Sequence, residues 1–355
     1  MPKFIVLTLF IALTLFTLAS ILDTADSPRT TDKERVAGEV TGEEPKNKNT
    51  SALRNLLTSA ISGNATLRGE EKNQISFLFL GIGGDEHISG NYLTDTVIVA
   101  LFVPQNKKAA VISIPRDLLV RSPKNGYFTK INALYAINPS GKGFPGPMGI
   151  DFIKEKIAEI TGVIPDYYAV LDLNGIQKLV DTLGGIYVRR DEDLLDNRFP
   201  DNNQGYETYK ISEGWRYLSG AEAAKYIRTR HTAGGDFDRM KRQQEVARAI
   251  KKKAEGLKSV AGLPKLLALY QTLKEHLAAD LEIGEISRLL ELGEGIKEED
   301  IIFEQITAEA GGLLIYDRIE LGGAPASVLK PRAGLEDYSE IKMSISDIVT
   351  KLHDE

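Results

Sequence analysis

Residues 226–244 read YIRTRHTAGGDFDRMKRQQ and bring Arg228, Arg230, Arg239 and Arg242 together with His231 and Lys241. The chain of 355 residues carries a formal net charge of -6, so this is a local concentration of positive charge in an acidic protein. Arginine in place of lysine suits phosphate, because the planar guanidinium matches two oxygens with paired hydrogen bonds. A helix starting near Asp238 places Arg239, Gln243, Val246, Ile250, Ala254 and Leu257 on one stripe at 3.6 residues per turn. That stripe is apolar except at its N-terminal end. A buried charge without a partner is too costly to keep. Arg239 and Gln243 therefore either reach a rim or meet an anion, and the positive end of the helix adds to the field there. A solvated basic face is the plainer alternative.

A second group of polar residues follows three apolar runs. ISFLFLGIGG, TDTVIVALFVP and KAAVISIPRD are rich in β-branched and aromatic residues and are bounded by Gly or Pro, which predicts buried strands. Their short connections predict an antiparallel meander. In such a meander the end of the first strand, the start of the second and the end of the third share one sheet edge. Asp85, Asp95, Arg116 and Asp117 then converge there. Two carboxylates can hold a hard cation, although aspartates are also common in turns.

The elements that position these residues continue downstream. GIDFIKEKIAEITG reads as an amphipathic helix stopped by Gly162. DYYAVLDL reads as a strand, GIQKLVDTLGG as a helix and IYVRR as a strand. Ser219 and Glu222 form a capping box ahead of AEAAKYIRTR. Past residue 260 the pattern reads as helical to about Gly295, and LLIYDRIEL reads as a returning strand before a final short helix. Strands and helices in mixed order predict an α/β fold, an α/β/α layered single domain with a mixed central sheet.

Upstream, residues 4–22 are an uncharged apolar run behind Lys3. The run is long enough to span a bilayer core of about 30 Å, and the lone lysine orients the rest of the chain outward. The expected organisation is a transmembrane signal anchor over 1–22, a polar tether over 23–73 and a catalytic domain over 74–355. Cleavage after the small residues of Thr17-Leu18-Ala19 is the alternative to an anchor. A short amphipathic segment at 52–61 is expected within the tether. The expected location is the cell membrane, single-pass, with the domain extracytoplasmic.

Other chemistries are excluded by what is missing. The chain has no cysteine, which removes disulfides, thiol nucleophiles and Cys-based zinc sites. A sequence pI near 5.5 argues against a nucleic-acid partner. GIGG after the first strand lacks the third Gly of a dinucleotide loop, and no P-loop, GxSxG or HExxH motif occurs. His87 and His231 have no partner histidine nearby in the sequence, and a surface or hydrogen-bonding role is the ordinary reading of each.

Taken in order, SIPRD at 113–117, KINALYA at 130–136, LVDTLGGIYV at 179–188, LSGAEAAKYIRTR at 218–230 and GDFDRMKRQQ at 235–244 resemble the LytR-CpsA-Psr family of cell-wall phosphotransferases. The resemblance implies transfer of a glycopolymer phosphate from a polyprenyl-pyrophosphate carrier to a peptidoglycan hydroxyl, forming a phosphodiester. It implies an apolar interior for the polyprenyl tail and a magnesium ion, Mg2+, on Asp85 and Asp95. Arg116, Arg228, Arg230, Arg239 and Gln243 match its pyrophosphate-binding positions. Asp95, Arg116, Arg228 and Arg230 are expected to act in catalysis. Leu93 departs from the basic residue common two places before the Asp of strand two. With Leu93 there, one phosphate contact is either lost, weakened or supplied by Arg121 or Lys130, and Lys130 is counted among the substrate-binding residues. Hydrolysis of the same lipid pyrophosphate by water, and lipid binding by a weakly catalytic regulator of the envelope, remain alternatives.

Overall fold

The computed structural model describes residues 65–83, 92–137, 149–201, 205–232, 235–255, 273, 275–281, 283–293 and 296–354. The expected anchor, the tether as far as residue 64, the segment 52–61 and Asp85 lie outside the described residues. Among the described residues no helix is long and apolar enough to cross a membrane.

The three apolar runs form β1 (Ile75–Ile82), β2 (Thr94–Val103) and β3 (Lys108–Ser113). They pair antiparallel in turn, as their short connections require. β6 (Tyr167–Asp172) adds parallel to β1, and β12 (Ile301–Gln305) adds parallel to β3. β11 (Leu277–Ala279) pairs antiparallel with β6. The sheet is therefore mixed, in the order β11-β6-β1-β2-β3-β12.

Period-2 alternation sends side chains to two separate cores. On one face Leu78, Leu80, Val97 and Val99 pack with Ile153 and Ile157 of α1 (Ile150–Thr161) and with Ile341 and Ile345 of α6 (Ser339–His353). On the other, Phe77 and Val111 join the cluster built by α2 (Leu173–Thr182), α3 (Gly220–Arg228), α4 (Gly235–Glu255) and α5 (Ile283–Gly293). The result is the expected helix–sheet–helix layering. Gly162 ends α1 at φ 75°, a left-handed position that glycine adopts without strain. Ser219 and Glu222 close the expected capping box at the start of α3.

Three expectations are corrected. The helical reading of 260–295 misses β11, whose three residues carry no period-2 signal. α4 starts at Gly235, ahead of Asp238. The strand LLIYDRIEL does not return to the sheet: as β13 (Leu314–Leu321) it forms a ribbon with β14 (Ala324–Pro331), and β12 takes the sheet edge. Three more two-stranded ribbons decorate the body: β4 (Leu119–Arg121) with β5 (Phe128–Lys130), β7 (Ile186–Arg190) with β10 (Gly214–Leu218), and β8 (Leu194–Pro200) with β9 (Tyr206–Ile211).

Packing begins ahead of Gln74. Leu67 is buried in the core beside Tyr167, whose hydroxyl accepts from the Arg68 backbone N–H at 2.7 Å. Glu70 pairs with Arg288. Replacing Leu67 with Ala is expected to lower unfolding stability by about 2–5 kcal/mol, the usual range for a buried leucine. Urea denaturation checks this, and an unchanged midpoint would place Leu67 outside the cooperative unit.

Candidate functional site

Asp95 stands near the start of β2, on the sheet edge where β1 and β3 end. Arg116 arrives from the turn after β3 and pairs with the Asp95 carboxylate. Arg239, at the start of the second turn of α4, reaches the same place from the helical layer. Its Nη2 donates to the Asp95 carbonyl at 3.1 Å and its Nη1 lies 3.8 Å from Oδ1. The anion required by a buried arginine on an otherwise apolar stripe is thus, in this structure, Asp95. Arg239 is 4% exposed, and Val246 and Ile250 continue its stripe into the core as the 3.6-residue period predicts. Ala254 and Leu257, the remaining members of that stripe, have no described side chains.

The Asp95 side chain remains 45% exposed despite its two partners. Burial pushes its pKa up, but the charges of Arg116, Arg239 and Arg230 outweigh that and hold the carboxyl below the ordinary range. It is therefore ionised at neutral pH. Burial lowers the Arg228 guanidinium from its ordinary value; Asp95 opposes the shift and Arg230 reinforces it. Arg228 lies over the Phe199 ring at 5.3 Å. Thr229 between the two arginines is fully buried.

Arg242 belongs to a different task. It is 2% exposed, donates from Nε to the Tyr226 carbonyl at 3.2 Å and from Nη2 to the Thr229 carbonyl. It thereby satisfies carbonyls that the end of α3 leaves without helical partners. Lys130 is one ion pair removed from the site: its Nζ lies 2.6 Å from Asp117, whose other oxygen is 3.7 Å from Arg116 Nε. Arg121 is committed to Glu336 at 2.8 Å on the outside. Leu93 is half-buried. Among the described residues no group of three or more acidic or histidine side chains could hold a metal.

Behind Asp95, Arg116, Arg239 and Gln243 opens a cavity of about 270 Å3. It runs between the sheet and the helices α4 and α5. Phe79, Ile98, Ala100 and Val111 form its floor, and Val246, Ile250 and Leu289 its roof. Gly81 keeps the floor low beside the polar end, because a Cβ there would come within 3.0 Å of Thr96. Charged and polar groups thus gather at one end of an otherwise apolar slot.

Two supporting residues were not singled out from sequence. Asp196 of β8 is fully buried and accepts from the backbone N–H groups of Arg230 and His231 at 3.3 and 3.4 Å. Phe199 of the same strand stacks under Arg228. LLDNRFP has no apolar–polar alternation to mark Asp196 as inward-facing, so its burial is evident only from the structure.

The family model of the LytR_cpsA_psr family matches residues 31–322. The chain belongs to the LytR-CpsA-Psr family. Its relatives in the LytR-CpsA-Psr family include the regulatory protein MsrR of Staphylococcus aureus, 30% identical over 203 residues, which are 57% of this chain and 56% of MsrR. "Probable cell wall biosynthesis protein LcpB" of Corynebacterium glutamicum is 33% identical over 171 residues, 48% of this chain and 36% of LcpB. The chain spans about half the length of MsrR and less of LcpB. The fold is shared with B. subtilis TagV, at a TM-score of 0.56 and 24% identity over 78% of this chain and 97% of TagV. It is equally shared with TagT bound to LI-WTA, at a TM-score of 0.56 and 23% identity over 78% and 91% of the two chains.

The two kinds of arginine separate by experiment. Arg242→Met keeps the alkyl stem and removes the bonds to the α3 carbonyls, so urea denaturation should show a loss of about 1–3 kcal/mol. Arg230→Met, on an exposed side chain, should stay within about 0.5 kcal/mol of wild type. The reverse ranking would contradict the assignment.

Proposed function

We propose that this LytR-CpsA-Psr protein transfers a glycopolymer phosphate from a polyprenyl-pyrophosphate carrier to a hydroxyl of peptidoglycan or a related envelope glycan. The observation that carries this reading is the apolar slot ending in a cluster of guanidinium groups. That shape matches an amphiphile with a long apolar tail and an anionic head. At about 270 Å3 the slot lies at the small end of the range for ligand pockets. It therefore takes the head-proximal part of a polyprenyl tail and leaves the rest to the membrane in which the carrier is dissolved. TagT, which shares the fold, is bound to LI-WTA, and this supports the reading.

Phosphoryl transfer depends chiefly on positioning and on covering charge that develops on the phosphate oxygens. Arg239 and Arg116 sit on either side of Asp95, and each can exchange part of that contact for a phosphate oxygen. The charges of Arg228 and Arg230 act with the same Asp95 carboxylate, and Gln243 offers an amide donor one turn along α4. The ionised Asp95 gives magnesium one hard oxygen ligand. Magnesium commonly takes one or two carboxylates with the remaining ligands from substrate phosphates and water, so the residues present fit it. Asp95, with Asp85 as its partner by family resemblance, would hold it. Bound there, it would neutralise charge on the pyrophosphate.

Purified protein given a polyprenyl-pyrophosphate oligosaccharide and a glycan acceptor should release polyprenyl phosphate and form a glycan phosphodiester. Arg239→Ala should raise the apparent Kd for the lipid at least about 30-fold, equivalent to about 2 kcal/mol or more for a desolvated charge contact. Release of polyprenyl phosphate with equal yield when the acceptor is omitted would identify a hydrolase. Lipid binding without turnover would identify a binding protein.

A further inference from the structure

His231 follows directly on Arg230, whose charge acts on the Asp95 carboxylate. Its ring is not loose. Nδ1 lies 3.1 Å from Asp196 Oδ1, and the carboxylate side chain is 1% exposed while the imidazole is 39% exposed. Asp196 also accepts the backbone N–H groups of Arg198, Arg230 and His231. Burial pushes the Asp196 carboxyl up, and these backbone donors together with His231 hold it below the ordinary range. A carboxylate in that state only accepts hydrogen bonds, so Nδ1 must carry the hydrogen. In the neutral ring Nε2 is then a bare lone pair. The carboxylate beside the imidazole is Asp196 from β8; Arg230 precedes the histidine in the chain, and the Thr232 hydroxyl that follows it donates to Asp238 of α4 at 2.8 Å.

We propose that His231, oriented by Asp196, is the general base that takes the proton from the attacking hydroxyl. This rests on the transfer reading above and adds the proton acceptor that reading lacks. The acceptor O–H proton moves to Nε2 as the acceptor oxygen bonds to the phosphorus that bears the glycan. The bond from that phosphorus to the bridging oxygen breaks, and its electron pair leaves with polyprenyl phosphate under the arginines. The imidazolium returns its proton to solvent. Asp196 acts only through the ring and through the backbone of Arg230, as a positioning residue.

The test uses the full chain with a polyprenyl-pyrophosphate oligosaccharide and a glycan acceptor. His231→Gln replaces an exposed side chain and should leave lipid Kd within about 2-fold of wild type. Its kcat for transfer should fall by about 100-fold or more, the usual contribution of a general base. The acid limb of the kcat–pH profile, the loss of rate as the imidazole protonates, should disappear. Nitrogen-15 spectra of the unliganded wild type at alkaline pH should show the Nδ1–H tautomer at His231. Wild-type kcat and pH profile in His231→Gln, or an Nε2–H tautomer, would overturn the base while leaving the transfer reading intact. A wild-type protein that binds the lipid and transfers nothing would overturn the transfer reading and the base with it.

Discussion

The Asp95 carboxylate holds the two halves of the site together. It is the common counterion of Arg116 on the sheet side and Arg239 on the helical side. Without it, an arginine that is 4% exposed among valine and isoleucine would lose a buried charge partner, a change that typically costs several kcal/mol. With it, the site is a set of positive groups sharing one negative partner. Such a set is stable when unliganded and still strongly attractive to a second anion. Phosphate oxygens can take over contacts already geometrically prepared, so little reorganisation is needed on binding.

The apolar slot is the other half of the constraint. An apolar slot of about 270 Å3 leaves its lining atoms without packing partners on one side, which costs dispersion energy. Small residues facing it, including Gly81, Ala100, Ala109 and Ala169, keep it from closing. A fold that needed only a core would fill such a space with larger side chains. An open apolar slot beside a cationic cluster is consistent with a ligand whose tail compensates that cost.

Much of this was legible in sequence because the signals are local. The meander is set by three β-branched runs with short connections, so Asp95 and Arg116 had to meet at one edge. The period of α4 placed Arg239 and Gln243 with Val246 and Ile250. Arg242 could not be separated from them by period alone. Its role follows from two carbonyls at the end of another helix, a tertiary fact. β11 was missed because Leu277-Ala278-Ala279 has no β-branched residue, and its pairing with β6 outweighs its weak propensity. Asp196 lies in β8, whose sequence LLDNRFP shows no apolar–polar alternation, and its four acceptor contacts depend on where the chain past α3 returns. His231 stands out only once those contacts fix its ring.

In the proposed function the slot between the sheet and α4 receives an apolar tail while the arginines hold its anionic head. Photo-crosslinking tests it most directly, with a polyprenyl phosphate carrying a diazirine on a head-proximal prenyl unit and the attachment sites read by mass spectrometry. Attachment should fall on slot residues such as Ala100, Val111, Val246 and Ile250, and unlabelled polyprenyl pyrophosphate should compete it away. Attachment confined to the outer surface, or unaffected by the competitor, would contradict the claim.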